Sequence, residues 1–372
     1  MSTDNTIFKP YIGKNAYDGG ITRGELNFQN SEMELWKLSS NENILGPSPL
    51  ATKAIAESLN LLNEYSYRDD LPIREAIEKS NPKLSLTRTF AANGGSEIIQ
   101  IICRAFLSPD LECIISTPTF IAYKNYIQNE GAKVIDVPLN TSDYTIDVEG
   151  ILNAITPKTR LVFVTNPNNP TGTYTAKKEI DYLINSIPDH VIVVYDEVYY
   201  HFADAKDFPR AIDYIEEGKN VIGVHSFSKS YGLAGIRLGY GFSREKIASY
   251  IANFRRPFIL NTLTMVAGIA ALKDEIYLTT SIKLVRQERN WLYQQFQNIG
   301  INYWKSQTNF VYIEPAMNNL EFTSQLLKAG VMVRPCDAFG AKNGIRITVG
   351  NRKANNALIN AIKSIYKIDC HA

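Results

Sequence analysis

Val191-Ile192-Val193-Val194-Tyr195 constrains the fold more than any other stretch of this chain. A strand apolar at every position has to be covered on both faces. An open parallel sheet between helices provides that cover; a half-solvated antiparallel sheet does not. Asp196-Glu197 follow immediately, so the strand delivers two carboxylates to its carboxyl end. In open α/β sheets that end is where ligands bind.

The surrounding pattern agrees. From about residue 90, strand-like and helix-like runs alternate. Leu111–Ser116, Lys133–Val137 and Arg160–Thr165 read as strands, and so does Val221–Val224. Helices are expected at Ile98–Leu107, after Phe120, at Asp147–Ile155 and at Ala176–Ile187. Pro49, following Ser48, opens an earlier helix running to about Leu62, and another spans Pro72–Lys79. After Tyr240 the pattern changes. Helices dominate from Arg244 to about Asn298, with a long amphipathic one from Asp274. Short strands then flank helices at 320–329 and from Lys353. The fold class expected is α/β: a large domain with a mainly parallel sheet flanked by helices, and a smaller α+β domain. The expected boundaries are an N-terminal arm at 1–40, a large domain at 41–255 and a small domain at 256–372.

Several function classes lose support early. With 39 basic and 38 acidic side chains the net charge is +1, and no basic run marks a nucleic-acid surface. Cys103, Cys113, Cys336 and Cys370 form no CxxC pair, and the four histidines show no metal-ligand spacing. No stretch reads as a signal peptide or a membrane span. The expectation is a cytoplasmic protein without a metal. Neither a GxGxxG fingerprint nor a GKS/GKT phosphate loop occurs.

The chemistry gathers instead at strand ends. Ser226-Phe227-Ser228-Lys229 follows an apolar strand, and Gly232, Gly235 and Arg237 come next. Serine and arginine together suit a phosphate, one offering a hydroxyl and the other a planar fork of charged donors. A lysine beside such an anion site can condense with an aldehyde, and pyridoxal phosphate carries both groups. Gly94-Gly95-Ser96 at a helix start exposes backbone N–H groups at the positive end of the dipole, a second element of a phosphate seat; an ordinary N-cap would use the same residues. Asp196 could pair with a protonated pyridine nitrogen, Phe120 could stack on the ring, and Asn169 and Tyr199 could donate to its phenolic oxygen. Lys229, once displaced by a substrate amine, could move a proton at the α carbon. Arg346, between apolar neighbours, could grip an anionic substrate group.

Taken together, Asn41-Glu42-Asn43, Asn93-Gly94-Gly95-Ser96-Glu97, Pro167-Asn168-Asn169-Pro170-Thr171-Gly172, Asp196-Glu197, Ser226-Phe227-Ser228-Lys229, Gly232-Leu233-Ala234-Gly235-Ile236-Arg237, Thr308-Asn309-Phe310 and Val333-Arg334-Pro335-Cys336 resemble the pyridoxal-phosphate aminotransferases of the aspartate aminotransferase fold. Within them the chain most resembles the histidinol-phosphate aminotransferase family, from about Pro10 to Leu358. The resemblance implies Lys229 as the cofactor-bearing lysine, Asp196 as partner of the ring nitrogen, and Gly95, Ser96, Ser226 and Arg237 as the phosphate cup. It implies a homodimer in which Tyr65 reaches the neighbouring subunit's cofactor. It places Arg346, Arg334, Asn43 and Tyr11 near the substrate, and a cis peptide at Asn169–Pro170. The reaction implied is transfer of an amino group from L-histidinol phosphate to 2-oxoglutarate, a step of histidine biosynthesis.

Two departures leave the substrate open. The family usually carries Asn-Glu-Asn-Pro where this chain has Asn41-Glu42-Asn43-Ile44, and Tyr-Pro-Asp where it has Tyr65-Ser66-Tyr67-Arg68-Asp69. An aromatic or specialised-pathway aminotransferase, a threonine-phosphate decarboxylase and a non-catalytic pyridoxal-phosphate-binding protein are the alternatives.

Overall fold

The computed structural model describes residues 34–368. The strands in chain order are β1 (Trp36–Lys37), β2 (Thr89–Ala92), β3 (Glu112–Ile115), β4 (Lys133–Asp136), β5 (Thr159–Thr165), β6 (Ile192–Asp196), β7 (Val221–Ser226), β8 (Gly239–Ser243), β9 (Asn302–Trp304), β10 (Phe310–Glu314), β11 (Val331–Met332), β12 (Arg334–Pro335) and β13 (Ile345–Thr348). The helices are α1 (Pro49–Glu57), α2 (Leu71–Ser80), α3 (Gly94–Phe106), α4 (Ala122–Asn129), α5 (Val148–Ala154), α6 (Lys177–Ser186), α7 (Ala211–Glu216), α8 (Glu245–Ala252), α9 (Thr262–Ala271), α10 (Glu275–Asn298), α11 (Asn319–Lys328) and α12 (Arg352–Tyr366).

The main sheet has seven strands in the order β2-β8-β7-β6-β5-β3-β4. From β7 to β4 every pairing is parallel, and β8 runs antiparallel between β7 and β2. Each residue of β6 is buried, as its apolar sequence requires. β2 and β8 were not legible as strands. β8 is Gly239-Tyr240-Gly241-Phe242-Ser243, and glycine weakens the strand signal while marking places where another group comes close. Here Phe90 lies where a Cβ on Gly241 would point, and Phe242 covers Gly223 in the same way.

Most expected helices form, and their starts follow ordinary capping chemistry. Ser48 Oγ accepts from the Ala51 N–H, with Pro49 in the first turn. α1 ends at Glu57 and is followed by a short 3-10 turn at Leu59–Leu61, short of the expected Leu62. Asp274 caps α10 by accepting from Tyr277 N–H, and its other oxygen accepts from Ser48 Oγ at 2.6 Å. One carboxylate therefore ties the starts of α1 and α10 together.

Two apolar clusters account for most of the core. The first runs from Ala51 to Ala271 and encloses the main sheet. The second joins Leu38 and Phe202 to residues between Val285 and Ile362, around the sheet β12-β13-β10-β9. α9 packs on α1 and α2, so it belongs to the first cluster. We propose a domain boundary between Ala271 and Glu275 rather than at 255; helical periodicity alone does not tell which core a helix faces. At the other end, β1 pairs in parallel with β11, which puts residues 36–38 of the expected arm with the smaller body. Tyr11 and the other residues of 1–33 lie outside the described residues. Among those described, no helix is long and apolar enough to cross a membrane, and no cluster of His, Cys, Asp or Glu is arranged to hold a metal ion.

The start of α3 sits directly on β8. A Cβ at Gly239 would lie 2.5 Å from Gly95 N and 2.6 Å from Gly94 C. Both are backbone atoms, which cannot swing aside. Gly239→Ala is therefore expected to destabilise the fold by about 1–3 kcal/mol, the usual range for overpacking, and to loosen the first turn of α3. Thermal unfolding of the variant with and without added pyridoxal phosphate checks this. An unchanged melting temperature in both conditions would show that α3 does not need this close approach.

Candidate active site

The carboxyl ends of the parallel strands meet at one edge of the main sheet, and the expected residues come from the segments leaving it. Asp196 closes β6, Ser226 closes β7, Asn169 follows β5 and Phe120 follows β3. β2 is antiparallel to β8 and so parallel to the rest, which brings Gly95 and Ser96 to the same edge. A cavity of about 270 Å³ lies there. Gly95, Ser96, Phe120, Asn169, Asp196, Tyr199, Ser226, Lys229, Arg237 and Arg346 all line it. A larger cleft of about 380 Å³ lies near Pro188, Gly218 and Arg244, at the opposite ends of β6 and β7. None of the expected groups reaches it, so size does not mark the site.

Asp196 is 4% exposed. Its Oδ2 accepts from Tyr123 OH at 2.6 Å and its Oδ1 from Val198 N–H at 3.2 Å. Burial lifts its pKa to about 6, against the lowering effect of these bonds. Tyr123 is held in turn by Thr165 Oγ1 at 3.0 Å. A dehydrated carboxylate braced in one orientation gains most from a cation placed against it.

Lys229 Nζ donates to Ser40 O at 3.4 Å. Burial pushes its pKa down to about 7; Arg346 and Arg237 lower it further, and Glu42 and Asp196 oppose them. The lysine is thus a mixture of amine and ammonium near neutrality, as a nucleophile and proton carrier requires.

The residues expected to hold a phosphate come from α3, the end of β7 and the loop before β8. Asn93 turns its side chain to Glu97 and Ile259 O and does not cap α3. Arg237 adopts a left-handed backbone (φ 59°), and Nη1 donates to Ala234 O at 2.9 Å. Its guanidinium lies against Gly94, where a Cβ would come within 2.5 Å of Nη2. Gly95, Ser96, Ser226, Ser228 and Arg237 all line the cavity, with Gly94 against the Arg237 guanidinium and Gly95 facing the Ser226 side chain.

Arg346 closes the side formed by the smaller body. From β13, Nη1 donates to Asn169 Oδ1 and Nη2 to Ser39 O, both at 2.7 Å. Tyr199 stands edge-on to Phe310 and accepts from Asn41 Nδ2 at 3.0 Å.

Other expected residues fall elsewhere. Asn43 does not line the cavity. Its Nδ2 donates to Lys229 O at 3.2 Å, Ser230 O at 3.1 Å and Ser281 Oγ at 2.7 Å, so it fixes the backbone that carries Lys229. Arg334 is opposite Arg346 in the β12–β13 ladder, outside the cavity lining, with its guanidinium over Phe339 at 5.7 Å. Tyr65 is 88% exposed and lies 5.1 Å from the Phe258 ring. The cis bonds are at Thr117–Pro118 and Asn166–Pro167, not at Asn169–Pro170. The second of them falls where the chain leaves β5, and Asn166 is pinned there by its N–H to Asp196 O at 3.0 Å.

Tyr123, Asn41 and Ser228 also line the cavity, although the sequence assigned none of them a contact there. Tyr123 was legible as a helix residue one turn beyond Phe120, but its bond to Asp196 depends on β3 and β6 being placed by the sheet. The residues present fit pyridoxal phosphate: a buried carboxylate for a cationic ring nitrogen, an anion seat for the phosphate, and a lysine for the aldehyde.

Comparison with known proteins agrees. A family model described as aminotransferase class I and II matches residues 34–362. The histidinol-phosphate aminotransferase of Geobacillus sp. (strain WCH70) is 35% identical over 355 residues, covering 95% of this chain and 96% of the relative. That of Moorella thermoacetica is 37% identical over 332 residues, covering 88% and 85%. Among solved structures, a histidinol-phosphate aminotransferase from Sinorhizobium meliloti in complex with pyridoxal-5'-phosphate superposes with a TM-score of 0.84 at 22% identity, covering 97% of this chain and 98% of that one. An aspartate aminotransferase from Thermus thermophilus with maleate gives 0.79 at 21%, covering 89% and 92%. At such identities these two structures speak for the fold. The family match and the near full-length relatives go further: the chain belongs to the aminotransferase class I and II family, the pyridoxal-phosphate-dependent transaminases that include the histidinol-phosphate aminotransferases.

Proposed function

We propose that this aminotransferase takes its amino group from L-histidinol phosphate and passes it to 2-oxoglutarate, forming imidazole acetol phosphate and glutamate. The observation that carries this reading is the meeting of Lys229, Asp196 and two separate arginines, Arg237 and Arg346, in one cavity. One arginine serves the cofactor's phosphate and leaves the other for an anionic substrate. The near full-length relatives named as histidinol-phosphate aminotransferases support the choice of donor.

Bound pyridoxal phosphate supplies an electron sink conjugated to the substrate nitrogen. The chain's residues do the rest. Gly95, Ser96, Ser226 and Arg237 would hold the phosphate, Asp196 the ring nitrogen, Asn169 and Tyr199 the phenolic oxygen, and Phe120 one ring face. Lys229 is the attachment point, and its Nζ would take the proton from the substrate's α carbon and pass it to the cofactor's former aldehyde carbon, the shift that transamination requires. Arg346 orients the substrate anion, its own fork held by Asn169 and Ser39. Arg334 and Tyr11 are proposed further contacts for a phosphate-bearing donor.

A homodimer belongs to the same proposal. Leu59, Leu62, Tyr65, Tyr67 and Phe258 are all exposed. Phe258 N–H donates to Arg68 O at 2.9 Å and its ring lies 5.1 Å from that of Tyr65, so Phe258 and the Tyr65–Arg68 segment adjoin. An apolar surface of this kind suits a second copy of the chain, with Tyr65 as the residue that reaches across. The buried free thiols of Cys103, Cys113 and Cys336 support the cytoplasm as its compartment.

Three outcomes check this reading. kcat/KM for histidinol phosphate should exceed that for phenylalanine by about 10- to 100-fold, the worth of one added charged hydrogen bond when a phosphate stands in place of the carboxylate; parity between the two would end the substrate assignment. The rate of the visible spectral change on adding the amino donor should rise with pH and level off above about 7, because the lowered Lys229 pKa supplies free base there. A profile flat across neutrality would remove Lys229 as the proton carrier. Sedimentation should give twice the chain mass, 41.8 kDa, and a monomer at every concentration would contradict the shared site.

A further inference from the structure

The backbone around Lys229 is gripped by a unit separate from the cavity. Ser230 Oγ lies 2.9 Å from His201 Nδ1. His201 is the middle of the 3-10 turn Tyr200–Phe202, which directly follows the site residue Tyr199. Its ring is not free to turn. Tyr200 stacks on it at 3.9 Å and on His225 at 4.3 Å, and Tyr231 meets it edge-on at 5.6 Å.

The far end of this column is locked by charge. His225 Nε2 lies 2.7 Å from Glu197 Oε1, and His225 Nδ1 lies 2.6 Å from Tyr240 OH. Arg210 Nε donates to Glu197 Oε2 at 3.1 Å, and the guanidinium covers the Tyr200 ring at 3.8 Å. Burial alone would raise the Glu197 pKa; Arg210 and His225 outweigh it and hold the carboxylate at about 2. The turn's backbone is also clasped from α10: Arg286 donates to the His201 and Ala203 carbonyls, and Arg289 Nη1 to Phe202 O at 3.3 Å.

We propose that His201 is a positioning residue for Lys229, acting through the Ser230 hydroxyl. Asn43 holds the Lys229 and Ser230 carbonyls from one side, and His201 holds the Ser230 side chain from another. Between them the peptide after Lys229 has no freedom to rotate, so Nζ keeps one approach to the cavity. A half-buried neutral imidazole suits this role. Burial lowers the His201 pKa to about 3, so the ring is neutral at working pH, and in the tautomer protonated at Nε2 its Nδ1 accepts the Ser230 proton.

The proposal rests on Lys229 being the cofactor-bearing amine. Its test is a double-mutant cycle in holoenzyme with Ser230→Ala and His201→Phe, the phenylalanine preserving the stack without the acceptor. The first readout is the pH midpoint of the visible band of lysine-bound cofactor; the second is kcat against KM. Each single variant should shift the midpoint and lower kcat about three- to tenfold, the worth of one net hydrogen bond, with KM little changed. The double variant should add nothing to either single one. His201→Asn, which returns a polar atom near the Nδ1 position, should recover part of the loss. Variants that melt earlier but keep the wild-type midpoint and kcat would overturn the proposal and leave His201 as packing. A wild-type holoenzyme without a lysine-linked band would instead sink the assignment of Lys229 itself.

Discussion

A carboxylate cut off from water is unstable as an anion until a cation is placed against it, and Asp196 is such a group at the centre of this site. Its pKa stands near 6 because of burial, while Tyr123 and Val198 fix both oxygens. This group makes a protonated pyridine the favoured occupant of the cavity. Lys229 shows the reverse effect: burial and neighbouring arginines depress an ammonium toward neutrality. The two residues come from adjacent parallel strands, one from the end of β6 and the other from the loop after β7. The chemistry is therefore set by the parallel sheet, which delivers both groups to the same edge.

The second body completes the site. Arg346 comes from β13, and its guanidinium is shared between Asn169 of the first body and Ser39 beside β1. Asn41 makes a parallel link. It takes a left-handed backbone conformation, which Asn tolerates, accepts the Thr348 hydroxyl at 3.3 Å and donates to Tyr199. The residues proposed to hold substrate and cofactor are thus joined through short polar contacts between the bodies.

Much of this was legible in the chain. The apolar run before Asp196 implied a doubly covered strand, and the loop from Ser226 to Arg237 announced a lysine beside an anion seat. Both signals are local: β6 is buried along its length, and Ser226, Lys229 and Arg237 line one cavity. What escaped was long-range or masked by composition. β8 hid behind its glycines, where Gly241 admits Phe90, and β2 is a run of only four residues. Asn43 looked like a ligand contact because sequence cannot show that its amide is taken by the Lys229 and Ser230 carbonyls. Tyr123 carried no sign of its bond to Asp196, since that depends on strand order. The helices after Arg244 gave no clue that α9 packs on α1 while α10 joins the smaller body.

The account turns on a single amine. Borohydride reduction of the holoenzyme, followed by digestion and mass spectrometry, fixes the cofactor to whichever lysine bears it. The expected result is one pyridoxyl-bearing peptide, modified at Lys229. Modification at another lysine, or none at all in cofactor-saturated protein, would contradict the account.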